Sequence, residues 1–373
     1  MIIMALDHTR DYFHITAMTG NPLDPATTTI PLFFTRWVTH FCAPVFVFLS
    51  GLSAYLSSQN KTVQEMSAFL AKRGLWLVFV DVVIMTFGLT FNPFYNVVIL
   101  QVIWAIGCSM LLLSLFIRGS YKTILITGIV LVTGHNILDL ISVPDKGASV
   151  YVIRVLVNAF GTFISVGSTH KIWVLYSILP WTGIMFLGYV AGKWFRKDFD
   201  ALKRQTNFFY TGFSMIGLYL ILRFINVYGD PSPRKEYDTA LATILSFLNV
   251  SKYPPSLEYT CIMLGPALIF MALCEQVNNR FSKILSIYGR VPFFYYVIHF
   301  YLLHSLLVVL FFAAGNGTAE IASFPFYFRP VHFGFPLWVV YLIWLAVVAA
   351  LYQPCVWFYN YKMNHHNWWL KYL

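Results

Sequence analysis

Nine stretches of this 373-residue chain stay mostly apolar for about 20 residues, the length a helix needs to cross a hydrocarbon core. They run near 31–57, 74–91, 97–117, 121–142, 172–193, 207–228, 256–275, 288–312 and 336–359. In lipid the backbone must satisfy its own hydrogen bonds, and helices do so within one segment. The predicted fold class is therefore all-α, a polytopic transmembrane helix bundle of about ten helices. No polar linker divides the apolar runs, so residues 1–373 are expected to form a single transmembrane domain. The tenth helix is the N-terminal one. Met1 to Leu6 is apolar, Asp7-His8-Thr-Arg10-Asp11 interrupts it, and Tyr12-Phe13-His14-Ile15 follows. Six apolar residues before a charge cluster are too few to span, so the start is expected to lie upstream or the helix to be cut short. A signal peptide does not fit, because no basic region precedes the apolar stretch.

Charge supports the same class. Only 11% of residues are charged, against about 25% in a soluble domain. The 25 basic and 15 acidic residues are spread too thinly for a nucleic-acid stripe. Cytoplasmic loops of membrane proteins carry excess Lys and Arg. Fifteen of them fall in loops 58–73, 118–122, 193–206, 276–290 and the tail 360–373. Seven (Lys146, Arg154, Lys171, Arg234, Lys235, Lys252 and Arg329) fall in the opposite loops. This places both termini in the cytoplasm and makes the chain a multi-pass protein of the inner (plasma) membrane. The same count argues against a crossing at 151–167, which is expected to be an interfacial or re-entrant helix.

An ionisable residue inside a membrane helix is costly and by default marks function. On a helix at about 100° per residue, Asp7, Arg10, Asp11 and His14 fall within an arc of about 100°, which His8 extends by about 60°. Arg36 and His40 share a face of the next helix. Asp81 stands alone in the third, Gln101 and Trp104 open the fourth, and His135 and Asp139 suggest a local ion pair in the fifth. His299 and His304 lie among tyrosines on the ninth, where core histidines are equally consistent with the pattern. Pro180-Trp-Thr-Gly183 is expected to kink the sixth, and Gly183, Gly188 and Gly192 to permit close helix contact. The five cysteines sit singly, and no metal-ligand spacing, Walker loop or dinucleotide fingerprint is present. These residues leave two chemistries open: acid–base catalysis by a membrane-embedded His with a carboxylate, and proton-coupled transport.

Several stretches together resemble one family. They are Leu6–Phe13, Phe34-Thr-Arg36-Trp-Val-Thr-His40 to Gly51, Pro180 to Gly192, Tyr288-Gly-Arg290 through His299 to His304, and Trp368 to Leu373. In order and spacing they look like the bacterial relatives of heparan-α-glucosaminide N-acetyltransferase, within the wider transmembrane acyltransferases. The resemblance implies transfer of an acetyl or acyl group from acyl-CoA, with acetyl-CoA as co-substrate and no metal, to an amino or hydroxyl group of a sugar-type acceptor across the membrane. It implies His8, Asp7, His14 and Asp11 as catalytic residues. By the wider group's pattern, His8 should follow an arginine that would lie upstream of Met1. Arg36, His40, Gln101, Trp104 and His299 are implied to bind acceptor or CoA. Expected partners are the lipid bilayer and a sugar or glycan, with a homo-oligomer open and no nucleic acid. The competing reading is a proton-coupled transporter using the same intramembrane His and Asp residues.

Overall fold

Hydroxyl and carboxylate side chains at the entry of an apolar run set where many of these helices begin. The computed structural model describes residues 1–140, 148–158, 161–321 and 326–372; Lys146 and the closing Leu373 lie outside them. The first helices are α1 (Ile2–Phe13), α2 (Ile30–Thr39), α3 (Cys42–Ser58), α4 (Val63–Phe79), a π-helical turn Val80–Met85, and α5 (Thr86–Thr90). Strand β1 (Val97–Leu100) leads into α6 (Val102–Phe116), then α7 (Tyr121–Gly134) and α8 (Ala148–Leu156). Strands β2 (Thr162–Val166) and β3 (His170–Val174) precede α9 (Ile178–Ala191), α10 (Ala201–Ile225) and α11 (Ala240–Leu248). The chain closes with α12 (Leu257–Cys274), α13 (Arg280–Arg290), α14 (Pro292–Ala313) and α15 (Leu337–Asn364).

Thr29 accepts from the Leu32 amide at the start of α2, Thr62 and Glu65 form a reciprocal capping box on α4, and Ser256 caps α12. Among the described residues six helices are long and apolar enough to cross a membrane: 30–58, 121–140, 201–225, 257–274, 292–313 and 337–364. The protein is an all-α polytopic membrane protein with one small three-stranded sheet.

The sheet explains the one segment that looked like an extra crossing. Residues 151–167 hold the end of α8 and all of β2, which pairs antiparallel with β3 from Thr162↔Val174 to Val166↔His170. Only the segment's first part, to Leu156, is helical. The strands were hidden because a short apolar run reads equally as strand or buried helix. Pro180 produces no kink. It lies in the first turn of α9, where its missing N–H would have had no intrahelical partner.

The chain packs as two compact units. The first comprises Met1–Cys42, Val83–Val97 and Val277–Leu373. In it α1 packs on α2, α14 and α15, and α5 packs on α14. The second comprises Ala43–Val82 and Val98–Gln276. Its helices pair as α4 with α6, α6 and α7 with α9, and α10 with α12.

Glycines let these second-unit backbones meet, as membrane helices require in the absence of a hydrophobic drive. A Cβ on Gly188 would lie 2.0 Å from the Phe48 carbonyl oxygen, and one on Gly51 2.0 Å from that of Met185, so α3 and α9 touch backbone to backbone. Gly183 and Gly192 are closed in by side chains, with a Cβ 2.9 Å from that of Leu131 and 2.5 Å from that of Tyr55. Gly188→Val is expected to abolish the monodisperse peak in size-exclusion chromatography, because the clash is with backbone and no rotamer relieves it. A well-behaved variant would refute this packing.

In the same unit Arg223 is buried with all its donors used. It donates to Glu258 Oε2 at 2.9 Å and to the carbonyls of Ser232, Ser246, Phe247 and Asn249. This guanidinium ties the 229–255 connection to α10 and α12. His135 and Asp139 do not form the local ion pair their spacing suggested. His135 Nδ1 donates to the Leu131 carbonyl at 2.9 Å, and Asp139 accepts from the Asn136 amide at 2.6 Å.

Candidate active site

In the first unit α1 carries the polar cluster. Asp7 is buried, and its carboxylate is the hub. Arg36 Nη1 donates to both of its oxygens, reaching Oδ2 at 2.5 Å. Thr39 Oγ1 donates to Oδ1 at 3.0 Å, and Arg10 Nη2 approaches the same oxygen at 3.4 Å. Arg10 Nη2 also donates to Asp11 Oδ1 at 2.5 Å. Two guanidiniums and two carboxylates thus cancel in charge, which is the condition under which such groups tolerate burial. The last turns of α2 supply both Arg36 and Thr39, three residues apart and therefore on one face.

His8 stands at the edge of this cluster. Its Nδ1 lies 3.9 Å from Asp11 Oδ2, its side chain is 20% exposed, and that of Asp11 is 34% exposed. Asp11 is thus the carboxylate placed beside the imidazole, while Asp7 is engaged with Arg36. Asp7, although next to His8 in sequence, points about 100° away from it on the helix. The His8 ring packs on Phe300 and on His299, with centroids 4.2 and 5.3 Å away.

His299 is fully buried on α14. Its Nδ1 lies 3.1 Å from the Tyr295 carbonyl, and a carbonyl only accepts, so the proton sits on Nδ1. Nε2 is left with a lone pair and no hydrogen-bond partner. The structure therefore brings together a half-wet imidazole and a dry one whose basic nitrogen is unengaged. His304, five residues further on, has its ring nitrogens 2.9 Å from the carbonyls of Leu89 and Tyr327, to one of which the neutral ring donates, and stacks on Phe91. It serves the fold.

His14 does not share the α1 face. The helix ends at Phe13, and His14 is extended (φ −81°, ψ 134°), bridged to Phe335 and accepting at its carbonyl from Arg329 Nη2 at 2.8 Å. The 100° spacing places it with Asp11 only if the helix continues. Its Nδ1 sits 3.0 Å from Thr16 Oγ1. Burial, with Arg10 and Arg329 nearby, holds its imidazole below the ordinary histidine range. Burial likewise pushes Arg329 down to about 10. His40 is buried where α2 ends, its amide donating to the Arg36 carbonyl.

Gln101 and Trp104 belong to the second unit. Gln101 is the N-cap residue of α6, and its backbone N–H donates to Asp81 Oδ2 at 3.0 Å. Asp81 thereby caps a helix from outside it, a structural account of a carboxylate that the sequence left isolated. Among the described residues no group of three or more His, Cys, Asp or Glu could hold a metal ion.

Comparison with the curated proteins finds no match. The family model described as heparan-alpha-glucosaminide N-acetyltransferase, catalytic, matches residues 1–223, which take in the whole Asp7–His8–Arg10–Asp11–Arg36 cluster. The match covers more than half of the 373 residues, and the polar cluster lies inside a polytopic helical membrane protein. The chain belongs to the heparan-alpha-glucosaminide N-acetyltransferase catalytic family, a family of membrane acetyltransferases.

Proposed function

We propose that the protein transfers an acetyl group from acetyl-CoA to an amine or hydroxyl of a sugar-type acceptor, with His8 as general base. The supporting observation is the placement of His8 between a charged cluster and a dry imidazole. Asp11 lies on one side to stabilise an imidazolium, and the rings of His299 and Phe300 on the other exclude water. Acetyl-CoA supplies the acyl group as an activated thioester. His8 removes the acceptor's proton as the new N–C or O–C bond forms, and returns it to the departing CoA sulfur. Asp7 holds Arg36 in place, and Arg36 with His40 offsets charge gathering on the thioester oxygen.

The donor set fits the acetyl end of CoA better than its phosphates. Arg36 is already matched by Asp7, and Arg10 by Asp7 and Asp11. The phosphates would fall to the exposed basic residues of the loops. Entry from the cytoplasm agrees with the fifteen-to-seven Lys and Arg count, which supports a plasma-membrane protein with both termini inside. A reporter fused after Lys203 is expected to read as cytoplasmic, and a periplasmic signal would overturn the orientation.

The transporter alternative draws on the same polar residues and predicts acceptor flux without acetyl-CoA consumption. Proteoliposomes given acetyl-labelled acetyl-CoA and an amino sugar separate the two: transfer puts the label on the sugar, and transport moves the sugar unlabelled.

A further inference from the structure

Lys252, in the connection before α12, is 8% exposed, yet no carboxylate stands within 4.0 Å of it among the described residues. The stem is packed in, and the ammonium at its end has no counter-ion beside it. What it has instead are two rings: its Nζ lies 5.9 Å from the centre of Tyr176 and 5.1 Å from that of Tyr253. The rings flank the ammonium on the inner side, and its N–H donors stay open to a ligand that enters beside them. The neighbouring carboxylate Asp230 is committed elsewhere. It accepts from the amides of Ser232 and Ser251 and the hydroxyls of Ser251 and Ser256.

Three other donors without partners belong to residues around Tyr176. Tyr176 packs on Trp181 with centroids 5.0 Å apart, and the Trp181 indole N–H, fully buried, has no acceptor. Ser177, beside Tyr176, is the N-cap of α9 and is 1% exposed. Its hydroxyl would ordinarily cap an amide of the first turn, but the third helical position is Pro180, which has no N–H. The Ser177 hydroxyl is left without a partner. The Leu175 amide donates to the Leu100 carbonyl at 3.1 Å, so the chain just before Gln101 meets the chain just before Tyr176. Gln101 is 7% exposed, and Asp81 engages its backbone amide, so its side-chain NH₂ is free of capping and unpartnered.

We propose that Lys252, with Gln101, Ser177 and Trp181, forms a binding site for an oxyanion, the carboxylate, phosphate or sulfate group of a small molecule. The ammonium supplies the charge and the three neutral donors the direction, while Tyr176 and Tyr253 wall the site with apolar faces. All of these residues belong to the second unit, and the site does not depend on the acyl-transfer reading, since occupancy is measurable without turnover.

The test uses the full chain purified in a maltoside detergent, which brings no oxyanion of its own. Sodium sulfate, phosphate and acetate are titrated at ionic strength matched with sodium chloride, and the thermal unfolding midpoint is followed. At least one of the three is expected to raise the midpoint saturably, and a tetrahedral or planar preference names the ligand class. K252Q should weaken that response at least tenfold and K252R should retain it. Q101L and S177A, which keep the charge, should each weaken it several-fold and serve if K252Q fails to fold. If no anion acts beyond chloride, or if the substituted chains respond like the parent, Lys252 is a packing cation and the proposal is wrong.

Discussion

His8→Ala is expected to lower acetyl transfer by about 10²–10⁴, the usual cost of removing a general base. Folding should be intact, since the ring sits at the edge of the cluster and is partly exposed. His14→Ala should cost far less, because that residue has left the helix and is occupied with Thr16. Steady-state kinetics on both variants decide between them, with circular dichroism and gel filtration as folding controls. A dead His14→Ala beside an active His8→Ala would move the chemistry to the loop. Activity in both would pass the role to His299, whose Nε2 has no hydrogen-bond partner.

Asp7→Ala should be among the most damaging substitutions for stability. It removes the acceptor shared by Arg36, Thr39 and Arg10 and leaves buried guanidinium charge uncompensated. Breaking one partner of a buried ion pair costs about 3–5 kcal/mol. The sign of the coupling is the sharper forecast. Asp7→Ala with Arg36→Met should be more stable than Asp7→Ala alone, because the second change removes the stranded charge. Unfolding midpoints of the two singles and the double form the cycle. Strictly additive losses would mean that the pair does not interact.

The membrane class was legible because hydrocarbon permits few solutions: runs of about 20 apolar residues have one main use. The α1 cluster was legible for a related reason, since Asp7, Arg10 and Arg36 are too costly in an apolar run to be there without partners. What the sequence hid were local endings and long-range pairings. His14 was misplaced by a helix that stops one residue early, and Pro180 by a helix that starts two residues before it. Asp11, not Asp7, stands beside His8 because Arg36 comes from another helix and claims Asp7, a contact 29 residues away in sequence. Lys252 counted only as a solvated loop charge. Its burial depends on Tyr176, far along the chain, and only the adjacent Tyr253-Pro-Pro hinted at an ordered connection.

Acetyl transfer by this chain is tested by incubating the purified protein with acetyl-labelled acetyl-CoA and a panel of amino sugars, following free CoA and labelled sugar together. The expected result is CoA release that depends on the acceptor, one labelled sugar per CoA, and loss of both signals in His8→Ala. Label that stays on CoA with every acceptor, while the sugar crosses proteoliposomes unmodified, would contradict it.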